Sequence, residues 1–237
     1  TTIAFTYKGD IYTVPATGGR ASQITTNPAH DTKPIWSPDG KKIAFASDRM
    51  GSMDIFEVNK EGGIPKRLTT HSGNETPVTY KDAGHILFLA NIMPAAEDAQ
   101  FPSGQFQQVY EISTEGGRPA LFSSMPMEDI SFNHTGNTLL YQDKKGYEDP
   151  WRKHHTSSIT RDIWLCSLDG DRTYRKQTVF NGEDRTPVWA SDDKSFYYLS
   201  EEKGSFNVFK RDIDGNTSKQ ITHHTKHPVR FLSASSN

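Results

Sequence analysis

One cysteine, Cys166, stands alone in 237 residues, so no disulfide can form within the chain. A lone thiol does not identify the compartment. An excess of charge of one sign is missing too. The 27 basic and 29 acidic residues leave a net charge of −2, which argues against a nucleic-acid partner held by bulk electrostatics. Long hydrophobic runs are absent. The longest clean one, Ile86-Leu87-Phe88-Leu89-Ala90, is far too short to span a bilayer, so the chain is not expected to be membrane-embedded. Apolar residues make up only 33 %, so a core has to be built from thin, repeated layers with well-wetted loops. There is no Gly-x-Ser-x-Gly elbow, no His-Glu-x-x-His, no phosphate-binding glycine loop and no Cys-x-x-Cys. The sequence therefore assigns no catalytic residue, no metal ligand and no cofactor. No signal peptide is visible, and residue 1 falls at the start of an apolar strand, Ile3-Ala4-Phe5, as expected of a piece of a longer chain.

What is present is turn chemistry and short strands. Glycine and proline number 18 and 13, and aromatics reach 11 %. The stretch Pro34-Ile35-Trp36-Ser37-Pro38-Asp39-Gly40-Lys41-Lys42-Ile43-Ala44-Phe45-Ala46-Ser47-Asp48 reads as strand, tight turn, strand. Proline presets φ, aspartate bonds backbone groups ahead of it, and glycine accepts positive φ. Weaker copies fill the rest of the chain. The recurring landmarks are this strand-turn, a strand of the type Asp54-Ile55-Phe56, and a closing strand ending in an apolar residue and threonine, as in Arg67-Leu68-Thr69, although the third unit closes with Ala120-Leu121-Phe122 and residues 1–26 hold only the second half of a unit. Fifteen residues separate Asp10 from Thr25, Asp54 from Thr69, and Asn207 from Thr222. The period is 44 from Asp10 to Asp54 and 45 from Asp162 to Asn207.

A period near 40–45 with four strands per unit is the signature of a β-propeller. Propeller blades pack face to face, so central strands are buried on both sides and read as continuous apolar runs. Residues 43–46, 86–90 and 196–199 do so. The expected fold is all-β, a single propeller domain over 1–237 with four-stranded antiparallel blades. Blade units fall at about 1–26 (partial), 27–70, 71–123, 124–179, 180–223 and 224–237 (partial). Five to six blades fit, as a truncated six-bladed ring or as a five-bladed ring in which a strand near Val229 completes the sheet begun by Ile3.

Two periods, each stretched by about ten residues, place insertions at 91–106 and 143–161, both between a second and a third strand. These loops are expected to stand side by side as a lip on one rim, and long loops carry function. Candidate ligand contacts on that rim are Asp48, Arg49, Glu128, Asp129, Glu148, Trp151, Arg152, His154, His155, Asp184 and Arg185, a mixed-charge set suited to polar chains such as peptides or sugars. The pairs His154-His155 and His223-His224 alternate in direction on extended backbone and read as solvated loop residues. Cys166, Trp36 and Trp189 read as core, and the recurring Asp39, Asp82 and Asp192 as turn residues.

From Trp36 to Arg49 the sequence resembles the propeller repeats shared by TolB and tricorn-type peptidases. The double glycine of Gly9-Asp10-Ile11-Tyr12-Thr13-Val14-Pro15-Ala16-Thr17-Gly18-Gly19, and the insertion Tyr147-Glu148-Asp149-Pro150-Trp151-Arg152-Lys153-His154-His155-Thr156-Ser157-Ser158, resemble the tricorn type. Copies drift: Thr79 stands where Trp36 stands, and Asp193 replaces the turn glycine. The resemblance implies the amino-terminal propeller of a large serine peptidase, gating or binding peptides or unfolded polypeptide for downstream domains of the same chain. The family's catalytic residues match nothing here. The alternative is a TolB-like interaction propeller of the cell envelope. Of the compartments, the periplasm or envelope is favoured over the cytoplasm.

Overall fold

A chain of short apolar strands depends on its turns. At the turn after Trp36, Asp39 Oδ1 accepts the Ser37 hydroxyl at 2.7 Å and the Lys41 N–H at 3.0 Å. Gly40 takes the positive φ of 65° that the reversal needs. The same turn recurs where Asp192 Oδ1 accepts the Lys194 and Ser195 N–H groups, both at 2.9 Å. There Asp193 occupies the left-handed position at φ 50°, an aspartate being one of the few side chains that tolerate it.

The computed structural model describes residues 1–92, 107–146 and 157–234. Its regular structure is nineteen strands, with no helix among the described residues. They form five antiparallel sheets, each strand pairing with its neighbour in sequence. The chain divides into two compact units, Thr1–Met125 and Pro126–Asn237. In the first, β1 (Thr2–Tyr7), β2 (Asp10–Pro15) and β3 (Ser22–Gln23) make a three-stranded sheet. Four-stranded sheets follow, one of β4 (Asp31–Trp36), β5 (Lys42–Ser47), β6 (Asp54–Asn59) and β7 (Lys66–Arg67), the next of β8 (Thr76–Asp82), β9 (His85–Ala90), β10 (Gln108–Ser113) and β11 (Ala120–Ser123). The second unit holds two more, β12 (Met127–Phe132), β13 (Thr138–Asp143), β14 (Ile163–Ser167) and β15 (Thr173–Lys176), then β16 (Asp184–Trp189), β17 (Ser195–Ser200), β18 (Asn207–Asp212) and β19 (Ser218–Gln220). Residues 223–234 form no strand. The all-β fold of repeated antiparallel blades is the one the repeat predicts.

Within each unit the sheets stack face on face. In β5, Ile43 and Phe45 pack with Ile11, Ile24, Phe56 and Val58 on one side, while Ala44 joins Ile55, Leu68, Tyr80, Ile86 and Phe88 on the other. In the second unit Leu140, Ile163, Trp189, Phe196, Tyr198 and Phe209 form the equivalent layer. The continuous apolar runs thus supply a face to each neighbour. Trp189 is buried and donates its indole N–H to Ser131 O at 2.9 Å, whereas Trp36 is half-buried against the Ile11–Phe56 layer. Cys166 is buried, and burial pushes its thiol pKa up, as suits a small core residue.

Two recurring contacts explain the spacings. The closing threonine accepts the N–H at the start of the next-to-last strand of its sheet: Thr25 from Ile11 at 3.0 Å, Thr69 from Ile55 at 2.9 Å, Thr178 from Ile163 at 3.1 Å and Thr222 from Val208 at 2.9 Å. The fifteen-residue spacing is the length of chain that brings this hydroxyl back. A backbone latch then starts the next sheet. Asp31 N–H donates to Gly9 O at 2.7 Å, Glu75 to Met53 O at 2.8 Å, Asp184 to Arg161 O at 3.1 Å and Val229 to Phe206 O at 2.9 Å.

Replacing Thr69, 1 % exposed, by valine leaves the Ile55 N–H buried and unpaired. The expected loss is about 1–3 kcal/mol, read as a lower urea midpoint at unchanged slope. The exposed Thr17→Val serves as the neutral comparison.

Candidate functional site

In three of the four-stranded sheets an acid stands at or immediately before the start of the first strand, and the structure buries each of them. Asp31 and Glu75 are 0 % exposed and Asp184 1 %. Asp31 is neutralised. Arg49 Nη2 lies 2.9 Å from both its carboxyl oxygens, Arg49 Nε donates to Ser47 Oγ at 2.8 Å, and the guanidinium sits 4.6 Å over the Phe56 ring. Asp48 is exposed and accepts the His30 N–H at 2.7 Å. The Thr69 hydroxyl lies beside Glu75, and the Ser200 and Thr178 hydroxyls beside Asp184, each favouring the charged carboxylate but outweighed by burial. Burial pushes each up to about 7. Nearby Asp54 reinforces the shift of Glu75, and Asp162 that of Asp184, while Arg67 opposes the first. Asp54 is itself raised by burial, against an ion pair with Arg67 Nη2 at 2.8 Å.

In the second unit the bulged start of β12 and the end of β13 gather charge. Arg161 donates from Nε to Glu128 Oε2 and from Nη1 to Glu183 Oε1, both at 3.0 Å. Lys144 Nζ lies 3.0 Å from Glu128 Oε1, and Gln142 Nε2 donates to Glu128 Oε2 at 3.0 Å. The Thr186 N–H donates to Gln142 Oε1 at 2.8 Å and its hydroxyl to Asp129 Oδ2 at 3.1 Å. Asp129 and Thr186 both hold left-handed backbone, φ 49° and 52°, at equivalent bulges. Burial pushes Glu128 up, but Arg161 and Lys144 outweigh it and hold the carboxyl below its ordinary range. Arg185 stacks its guanidinium 3.9 Å from the Phe206 ring centroid, and burial lowers its pKa.

Beside this network lies a cavity of about 390 Å³ lined by Lys145, Ser157, Ser158, Thr160, Asp162, Lys176, Phe180 and Asn181. Lys145 Nζ donates to Thr160 O at 2.7 Å and forms a close ion pair with Asp162 Oδ2, which Lys176 Nζ also approaches at 2.9 Å. Asp143 accepts the Asp162 N–H at 2.8 Å and the Trp164 indole at 3.0 Å. Hydroxyls, an amide, two ammonium groups and one aromatic wall give the cavity donors for a polar chain. Among the described residues no three of His, Cys, Asp and Glu converge as a metal-ligating set.

The expected rim residues fall in both units. Asp48 and Arg49 belong to the first unit; Glu128, Asp129, Asp184 and Arg185 to the second. Glu128 and Asp129 are joined through Gln142 and Thr186, whereas Asp184 is in the interior. Glu148, Trp151, Arg152, His154 and His155, with the tips of both insertions, lie outside the described residues. Arg161, Gln142, Lys145 and Lys176, which hold the second unit's charges together, do not stand out in the sequence. The one available signal is their place, at strand ends beside the recurring Asp162 and Thr178.

Two measurements check this electrostatic picture. Glu75 and Asp184 bind protons more tightly in the folded chain, at about 7, than at their ordinary 4.5 and 3.8. Between those values the folded state holds more protons, so stability falls as pH rises and levels off above about 7. Glu75→Gln and Asp184→Asn should each reduce the loss between pH 4 and pH 8 by roughly 3–4 kcal/mol, seen in urea titrations at both pH values. Arg161→Met removes the guanidinium that Glu183 holds and one of the partners of Glu128, and should cost about 3 kcal/mol at pH 7, with much of it recovered when Glu183→Gln is added.

The family model described as the tricorn protease N-terminal beta propeller domain matches residues 1–237. Tricorn protease homolog 1 of Streptomyces coelicolor is 26 % identical over 221 residues, covering 93 % of this chain and 20 % of the relative. The Tol-Pal system protein TolB of Bordetella pertussis is 44 % identical over 54 residues, 22 % of this chain and 12 % of that protein. Among solved structures, the crystal structure of the tricorn protease superposes with a TM-score of 0.77 at 20 % identity, over 96 % of this chain and 22 % of that one. The chain thus spans about a fifth of the length of the tricorn proteins it matches.

Proposed function

The chain belongs to the tricorn protease N-terminal β-propeller domain family, and we propose on that premise that it is a non-catalytic module that binds or gates peptides for a protease region elsewhere in its parent protein. The observation that carries this reading is the match itself. It covers the whole chain, while four-fifths of each tricorn relative lies beyond the matched part. The charge networks are consistent with it. Arg161 is consumed by Glu128 and Glu183, and Arg49 by Asp31, so they hold loops and strand ends rather than a reacting group. The donors that line the cavity suit the amides and polar side chains of an extended peptide.

A second reading has one observation in its favour, the 44 % identity with TolB over 54 residues. On that reading the chain is an interaction propeller that docks folded proteins. Peptide retention separates the two.

Incubation of the purified chain with a complex peptide mixture, followed by mass spectrometry, tests the proposal. Every peptide should survive intact, and a subset should co-elute with the chain. Sequence-specific cleavage that persists in contaminant-free preparations overturns the non-catalytic reading. Intact peptides with none retained overturn the binding role and favour the docking module.

A further inference from the structure

The second unit holds two arginines in one neighbourhood and treats them oppositely. Arg161 donates to Glu128 and to Glu183, each at 3.0 Å. Burial opposes its charge, but the two carboxylates outweigh it and hold the guanidinium above its ordinary range. Arg185 lacks such partners. Among the described residues it makes no ion pair, and its buried Nε has no hydrogen-bond acceptor. Burial acts most strongly against its charge. Arg161 and Arg230 add to that, while Glu183 and Glu201 act the other way. Glu183 is already committed, with Oε1 on Arg161 Nη1 at 3.0 Å and Oε2 on the Arg161 N–H at 3.4 Å. A charge drawn out of water without a counter-charge is costly.

The fold does not demand a cation at this place. Arg185 opposes Leu199 one residue after Asp184 opposes Ser200, and Thr32 opposes Ala46 one residue after Asp31 opposes Ser47. A small threonine thus fills in β4 the place that Arg185 fills in β16. The structure nevertheless holds the arginine still. Its guanidinium lies 3.9 Å from the centroid of the Phe206 ring, itself 5 % exposed. The next residue, Thr186, turns the strand at φ 52° and is tied to Gln142 and Asp129. Of the three guanidinium nitrogens only Nε is buried without a partner, so the two terminal ones open to solvent. A fixed fork with one face on an aromatic ring and its donors unclaimed matches a planar carboxylate through two parallel N–H bonds.

We propose that Arg185 is a ligand-binding residue for the side-chain carboxylate of an aspartate or glutamate in a bound peptide. This rests on the peptide-handling reading and gives it a preference, acidic over neutral peptides. A side chain reaches the half-buried fork on a methylene stem, so no backbone amide has to lose its water beside Phe206. The bound carboxylate supplies the counter-charge that Asp31 gives Arg49 and that Glu128 and Glu183 give Arg161.

Two probes are used, both with the full chain. Propionate is a carboxylate with no peptide attached. Compared with chloride at equal ionic strength, it should raise the thermal midpoint of the chain. Arg185→Gln should abolish the rise, and Arg185→Lys, which keeps the charge and the stem on Phe206 but not the fork, should keep only part of it. The second probe is a pair of alanine peptides, amidated at the carboxyl end, that differ only in a central glutamate or glutamine. The chain should bind the glutamate peptide at least about tenfold more tightly, and Arg185→Gln should bring the ratio close to one. No effect of propionate, equal binding of the two peptides, or a ratio that survives in Arg185→Gln overturns the assignment of Arg185. A free-acid alanine peptide without acidic side chains that binds as tightly as the glutamate peptide overturns the side-chain source in favour of the terminal carboxylate. Protection by propionate with neither peptide bound overturns the peptide-handling reading, and the acidic peptide falls with it.

Discussion

A sheet that is apolar on both faces leaves neither face in water. That constraint organises the protein. Ile43 and Phe45 look one way from β5 and Ala44 the other, and each side is covered by the next sheet in the same unit. Because hydrophobic burial is proportional to area removed from water, a chain with only 33 % apolar residues forms a stable interior by spending each apolar strand on two interfaces. The turns, threonine caps and backbone latches then serve this stacking, since they return the chain to the next sheet at a constant length.

The same geometry makes the starts of first strands hazardous for charge. A residue there is latched by its own N–H to the preceding sheet, so its side chain is drawn inside. Asp31 is matched by Arg49 and stays an ion pair, whereas burial outweighs the hydroxyls beside Glu75 and Asp184, which retain their protons to about neutral pH. Near it, in the second unit, the charged cluster of Glu128, Arg161, Glu183 and Lys144 is fully engaged with itself. These networks are chiefly structural. A peptide-handling role in this chain would rest on the donor-lined cavity, not on the paired charges that first attract notice.

Membership of the tricorn N-terminal propeller family accounts for the repeat, while the first sheet departs from the repeat's own rule by having three strands. In β1 the apolar side chains that β5 buries are left half in solvent.

Sequence alone determined the period, the turn residues and the strand order, because these depend on local rules. Asp39 and Asp192 bond backbone groups two and three residues ahead, and a strand buried on both faces has to read as an apolar run. The threonine spacing was legible for the same reason, as a repeated length of chain. The fate of the charged residues was not. Asp48 and Asp184 look alike in sequence, yet one lies in solvent and the other at 1 % exposure. Lys145, Arg161 and Lys176 carry no local mark of their role, since each acts on carboxylates that only sheet pairing brings near. Which acid keeps its proton and which arginine is consumed were decided by the tertiary structure, because burial and charge pairing depend on neighbours distant along the chain.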